Sequence, residues 1–136
     1  MAPEDNKVTV RRLYDEVINQ NHLAVLEDLY SDHYVSHDLP SDPAALKGFI
    51  SGFHATFPDG QITIEEMIVE GDTIATRLTF RGTQTGQFQD IPPTGKVVTV
   101  PAQDMYRLIE GKIVEHWGGP NQLHLLQQLG VIPPMG

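Results

Sequence analysis

The 136-residue chain contains no cysteine, which excludes disulfides, a thiolate nucleophile and zinc–thiolate sites together. Positive charge is scarce: 9 Lys+Arg stand against 18 Asp+Glu, a formal net charge of −9. The acidic residues are scattered along the chain rather than gathered in a tail. Nucleic acid and acidic membranes need a positive stripe that this sequence lacks, so neither is expected as a partner. No run approaches the roughly 20 apolar residues that span a bilayer, and the charged start MAPEDNK has no apolar secretion core. A soluble, cytoplasmic protein is expected. No repeat, linker or low-complexity tract divides the chain, so residues 1–136 read as one domain.

What is present is a change of hydrophobic period. Val10, Leu13, Tyr14, Val17 and Ile18 recur at helical spacing, and Val25, Leu26, Leu29 and Tyr30 suggest a second short helix closing near Ser31-Asp32. A loop rich in Asp, Ser and Pro follows from Ser36 to Pro43. Asp42 then suits an N-cap and Pro43 the first helical position, ahead of a stripe of Leu46, Phe49, Ile50, Phe53 and Phe57 that Pro58-Asp59-Gly60 stops. From Gln61 the pattern alternates. Strands are expected over Gln61 to Val69, with a bulge between Ile64 and Met67, then Thr73 to Thr83, Val97 to Ile109 and Lys112 to Trp117. Glu70-Gly71-Asp72 and Glu110-Gly111 are the hairpin turns. A last helix spans Asn121 to Leu129, ended by Gly130 and Pro133-Pro134. Helices first and an antiparallel meander after them is an α+β pattern.

The run Gly82-Thr83-Gln84-Thr85-Gly86-Gln87-Phe88, continued by Ile91-Pro92-Pro93-Thr94-Gly95-Lys96, resembles the "GTHTGxFxGIPPTG" loop of SnoaL-like polyketide cyclases. The likeness continues through Asp104-Met105-Tyr106-Arg107-Leu108, Glu110 to Trp117 and Leu125 to Gly130. This resemblance implies an NTF2-like, cone-shaped barrel: a highly curved, mostly antiparallel sheet capped by N-terminal helices, used as a homodimer through its outer face. It implies a cofactor-independent, metal-free enzyme of secondary metabolism acting on a small molecule. In characterised relatives an aspartate two residues after the equivalent of His116 is the general acid/base. Here that position is Gly118, and a second acidic position, just before the last helix, is Asn121. The resemblance also places Ala102 and Asp104 on the wall of the pocket.

Alternation on the last strand puts Val114, His116 and Gly118 on one face and Trp117 on the other. Counting back from the Glu110-Gly111 turn sets Asp104 opposite Trp117 and brings it close to His116. A carboxylate beside an imidazole in an apolar pocket suits general acid/base catalysis; it also suits a buried polar pair that fixes the sheet. Asp104, His116 and His37 are the catalytic candidates, His37 because the resemblance sets its loop at the pocket mouth, where a plain turn histidine is the other reading. Tyr14, Phe53, Leu78, Arg77, Trp117 and Asn121 are the substrate-contact candidates. For Tyr14 a core position stays open. For Arg77 an outward place at a dimer face stays open, and for Leu78 and Trp117 core or wall. His54 reads as a helix-boundary residue. His33 and His37 have i, i+4 spacing but straddle a helix end and a loop with no third ligand, so no metal is expected. The glycines at 82 and 86 precede no helix N-terminus, which removes a phosphate loop. Cyclase- or isomerase-type proton transfer is the first functional expectation. A hydroxylase, dehydratase or epoxide-opening enzyme, or a non-catalytic small-ligand-binding protein, is the alternative.

Overall fold

The computed structural model describes residues 3–133. Met1 and Ala2 of the charged start and Pro134 of the terminal Pro-Pro stop lie outside the described residues. The chain runs through α1 (Pro3–Arg12), a π-helical turn (Leu13–Ile18), a 3₁₀ turn (Leu23–Val25), α2 (Leu26–Leu29), β1 (Tyr30–Ser36), α3 (Pro43–Thr56), β2 (Gln61–Glu70), β3 (Thr73–Thr83), β4 (Val97–Ile109), β5 (Lys112–Pro120) and α4 (Gln122–Gln128). The five strands form one mixed sheet in the order β1-β5-β4-β3-β2. Only β1 and β5 run parallel; the other pairs are antiparallel.

One face of this sheet is covered by helices, and the alternation of β3 shows why. Ile74, Thr76, Leu78 and Phe80 point inward and are buried, whereas Arg77 and Arg81 are exposed. Facing them, β4 buries Val98, Val100, Ala102, Tyr106 and Leu108. The helical layer answers with Val10, Leu13, Tyr14, Val17, Leu26 and Leu29, and α3 adds Leu46 and Ile50. A second cluster of Phe57, Phe80, Phe88, Leu125 and Leu129 closes the far end. Asp42 caps α3 as expected, its carboxylate accepting from the Ala45 N–H at 3.0 Å. The β2 bulge falls between Ile64 and Glu66. The loop carrying the GTQTG run is a scaffold. The fully buried Gln84 amide donates to the Gly86 and Pro92 carbonyls and accepts from Thr94. A Cβ on Gly86 would lie 2.1 Å from the Ala55 carbonyl oxygen, so only glycine lets the loop pack this closely on α3.

Three expectations need correction. Tyr30 to Ser36 is a strand, not a helix end leading into a loop. Its register to β5 jumps from Tyr30↔Ile113 to Val35↔Glu115, so an excursion of the polar Ser31-Asp32-His33 stretch hides the period of two. The strand β5 runs on through Gly118 and Gly119 to Pro120 rather than ending at Trp117. Its pairing with β4 also differs by one residue from the count made at the turn. Leu108 pairs with Ile113 but Arg107 with Glu115, so Val114 is an extra residue, and Asp104 lies opposite Gly118 rather than Trp117. Val114 is therefore not a member of the alternating inward set; Ile113 and His116 are both buried instead.

Candidate active site

The bulge decides the site. Directly opposed residues on antiparallel strands share a face, so the pairings Asp104↔Gly118 and Tyr106↔His116 put Asp104, Tyr106 and His116 on the inner face together. The Asp104 Oδ1 and His116 Nε2 lie 2.8 Å apart, with both side chains buried. Each then finds a second partner from another element. Ser36 at the end of β1 meets His116 Nδ1 at 2.8 Å. Tyr14, in the π-helical turn, donates to Asp104 Oδ2 at 2.7 Å and meets the Tyr106 hydroxyl at 2.8 Å and Thr76 Oγ1 at 3.1 Å.

With His116 neutral, these contacts form one directed chain of protons. A carboxylate only accepts, so Tyr14 O–H and His116 Nε2–H both donate to Asp104. A neutral His116 then carries a lone pair on Nδ1, which the Ser36 hydroxyl supplies with a proton while Ser36 Oγ accepts the Leu39 N–H at 3.2 Å. Tyr106 donates to the Tyr14 oxygen. Burial, and secondarily the Asp104 charge, pushes the Tyr14 and Tyr106 phenols well above their ordinary range, so both stay protonated donors.

This polar chain faces a part-open cavity of about 90 Å³, otherwise lined chiefly by apolar side chains such as Leu46, Ile50, Phe53, Leu78 and Phe80. Tyr14, Phe53, Leu78, Asp104 and His116 all line it, and so does Ala102. The other candidates lie elsewhere. His37 is not on the cavity wall: it stacks on Trp117 at 5.1 Å between ring centroids and meets Glu115 Oε2 at 2.7 Å on the outer face. The parallel register explains this, since Ser36 pairs with the inward His116 and the next residue turns away. Trp117, next after His116, shares that outer side. Arg77 is exposed and paired with Glu66 at 3.4 Å, the outward placement. Asn121 is exposed and serves as the N-cap of α4, accepting from the His124 N–H at 3.0 Å. Among the described residues no group of three His, Asp or Glu converges as a metal ligand set.

Sequence reasoning missed Ser36, Thr76 and Tyr106. The last two carried a readable signal, because Tyr106 is two residues from Asp104 and Thr76 is two from Leu78 on expected strands. Ser36 carried none, since its strand was invisible. Gly118 is fixed by sterics. Its φ is +109°, and an added Cβ would lie 2.1 Å from the Gln103 carbonyl oxygen and 3.1 Å from Asp104 Oδ1. The Asp104 side chain occupies the inner space that a side chain at 118 would enter.

Comparison with known proteins agrees with this architecture. The profile of the SnoaL-like polyketide cyclase family matches residues 8–129. The chain is 28% identical over 98 residues to nogalonic acid methyl ester cyclase of Streptomyces nogalater, covering 71% of this chain and 72% of that one. Among solved structures it resembles the hydroxylase candidate AclR of Streptomyces galilaeus, with a TM-score of 0.86, 27% identity and coverage of 99% and 87%. It also resembles the polyketide cyclase candidate IdmH of Streptomyces antibioticus, with a TM-score of 0.80, 31% identity and coverage of 92% and 98%. The α+β fold is thus of the NTF2-like type.

Proposed function

The chain belongs to the SnoaL-like polyketide cyclase family, and from that premise we propose that it catalyses proton transfer on an apolar carbonyl compound without a cofactor, leading to ring closure or isomerisation. The observation that carries this reading is the Asp104 carboxylate, buried, held through both oxygens and facing an apolar cavity. In the proposed step Asp104 removes a proton from the carbon beside the carbonyl. The C–H electron pair moves into an enolate. In ring closure that carbon attacks a second carbonyl of the same molecule, and the proton on Asp104 passes to the new alkoxide. In isomerisation it returns to a different carbon.

His116 and Tyr14 are positioning residues here. They hold the carboxylate so that little reorganisation accompanies the proton's arrival. Ser36 fixes the imidazole tautomer. Exclusion of water by the phenylalanine wall strengthens each of these contacts. His37, Trp117, Arg77 and Asn121 have no part in this step.

The test is deuterium wash-out from C1 of 2-tetralone, a bicyclic ketone with acidic C–H bonds, followed by NMR. The wild-type protein should accelerate exchange, and Asp104→Asn should lower that acceleration about 10²- to 10⁴-fold, the usual contribution of a general base. Circular dichroism checks that the variant is folded. Equal acceleration by both proteins would remove Asp104 from the mechanism, and no acceleration by the wild-type protein would favour the ligand-binding reading.

A further inference from the structure

The cavity has a second polar end that the proposed reaction does not use. His54, on α3, lines it together with Ile18, Gln61 and Ile62, near the start of β2. Its Nε2 bonds the Ile18 carbonyl at the end of the π-helical turn. A carbonyl can only accept, so Nε2 carries the proton, and in the neutral ring Nδ1 then presents a lone pair. That nitrogen has no hydrogen-bond partner among the described residues. Nor is it sealed in protein: among the described residues the buried side-chain atom without a partner is Asn6 Oδ1, on α1, and not this nitrogen. A half-buried histidine that lines an apolar cavity, with one nitrogen bonded and the other free of protein partners, leaves an acceptor that no donor among the described residues fills.

The sheet gives the separation of the two ends. Thr76 pairs with Asp104, and Phe80 pairs with Ile62. Asn19 clamps both backbone groups of Ile62, at 2.7 and 2.9 Å, which holds Ile18 and thus His54 at the Phe80 level. Four residues of strand separate Thr76 from Phe80, roughly 13 Å at about 3.3 Å per residue. Allowing about 3 Å for a polar contact at each end leaves roughly 7 Å, the length of about two fused rings. Phe53 and Phe80, 5.0 Å apart between centroids and perpendicular, offer ring faces and edges between the ends. The part-open cavity of about 90 Å³ is smaller than two rings require, so the occupant reaches towards solvent at Phe49, itself 37% exposed.

We propose that His54 is a substrate-binding residue whose Nδ1 accepts a hydrogen bond from a hydroxyl at the end of the substrate remote from Asp104. The substrate class is a flat, apolar molecule about two rings long, with a ring hydroxyl at one end and a carbonyl-activated C–H at the other. The orientation of that molecule rests on the role given to Asp104 above; the hydroxyl contact does not.

The experiment compares 2-naphthol with 2-methoxynaphthalene, which has the same rings and no donor, by fluorescence titration. Wild-type protein should bind 2-naphthol about three- to tenfold more tightly, the worth of one hydrogen bond. His54→Gln can both donate to Ile18 and accept, and should keep that preference. His54→Lys can donate to Ile18 but has no acceptor, and should lose the preference while keeping the wild-type melting temperature. Failure of wild-type protein to bind 2-naphthol overturns the proposal, as does a preference that survives in His54→Lys. A preference that survives in His54→Lys and disappears in Asp104→Asn places the hydroxyl at the other end. Because binding needs no turnover, a negative exchange assay with 2-tetralone would refute the reaction and leave this contact standing.

Discussion

The two faces of the sheet carry the same pair of functional groups. Inside, His116 and Asp104 meet at 2.8 Å; outside, His37 and Glu115 meet at 2.7 Å. Glu115 and His116 are neighbours on one strand, so a single residue step separates the two settings. His116 is 2% exposed, and its partners come from β1 and β4, with Tyr14 of the helical layer closing the chain. On the other side the His37 side chain is 43% exposed, and Glu115 is shared with Arg107. Water competes for every outer contact and for few of the inner ones. Contact length therefore says nothing about function here; the number of independent elements that fix each group, and the medium they fix it in, does.

The comparison breaks most readily where β5 presses on β4. Gly118→Ala should cost about 3 kcal/mol or more, because a positive φ and a Cβ against the Gln103 carbonyl must both be accommodated. A wild-type urea midpoint would mean that the close approach is soft. Next, His116→Ala should cost about 2–3 kcal/mol by leaving Asp104 and Ser36 short of a buried partner. His37→Ala should leave the midpoint unchanged within error, and equal losses in the two variants would erase the distinction between the faces.

Titration should separate the faces again. Burial pushes the Tyr34 phenol up to about 12, and the Tyr14 and Tyr106 phenols well above the ordinary 10. A raised acid keeps its contribution below its unfolded value, so stability should hold up to pH 10 and fall as pH rises towards the folded values. The outer carboxylate moves the other way. Glu115 is lowered first by its hydrogen bond to His37 and then by Arg107. Its small contribution is present above the ordinary carboxylate range and should fade as pH falls through the depressed value. Urea melts across pH check both, and an alkaline limb no steeper than the acid one would contradict the assignment.

The smallest effect on stability is expected from the uncovered face itself. Ile68 and Met105 lie there 59% and 43% exposed, while helices cover only the inner side. A homodimer through this face is the expected assembly. Met105→Asp should convert it to monomer by light scattering with little change in folding. A wild-type monomer at micromolar concentration would assign those side chains to another purpose.

How much of this was legible depended on whether a local period survived tertiary distortion. Strands β3 and β4 keep strict alternation and β2 keeps it on either side of one slip, so all three strands and even the Ile64/Glu66 bulge were readable. The helix α3 was readable through Asp42, Pro43 and its apolar stripe. The strand β1 was not, because its pairing with β5 exists only in three dimensions and its polar excursion imitates a loop. The neighbourhood of Asp104 and His116 was inferred from a count that was one residue out. Taken literally, that count would have put the two on opposite faces. His37 misled for the converse reason: histidine in a loop beside a pocket has no local mark that tells inward from outward. His54 looked like a helix-boundary residue because a tautomer is set by its partner, and Ile18 is remote in sequence.

The extra residue at Val114 has a use beyond its place in the ladder. It acts as a phase shifter between the tip of the β4–β5 hairpin and the site. Ile113 belongs to the tip's alternation and His116 to the site's, and the two patterns meet at one residue. Removing Val114 would let Arg107 pair with Glu115 directly after Leu108 with Ile113, and the imidazole would still face inward. The hairpin could therefore gain or lose this single residue in the course of descent without the site being lost, a freedom that a regular strand of period two does not have.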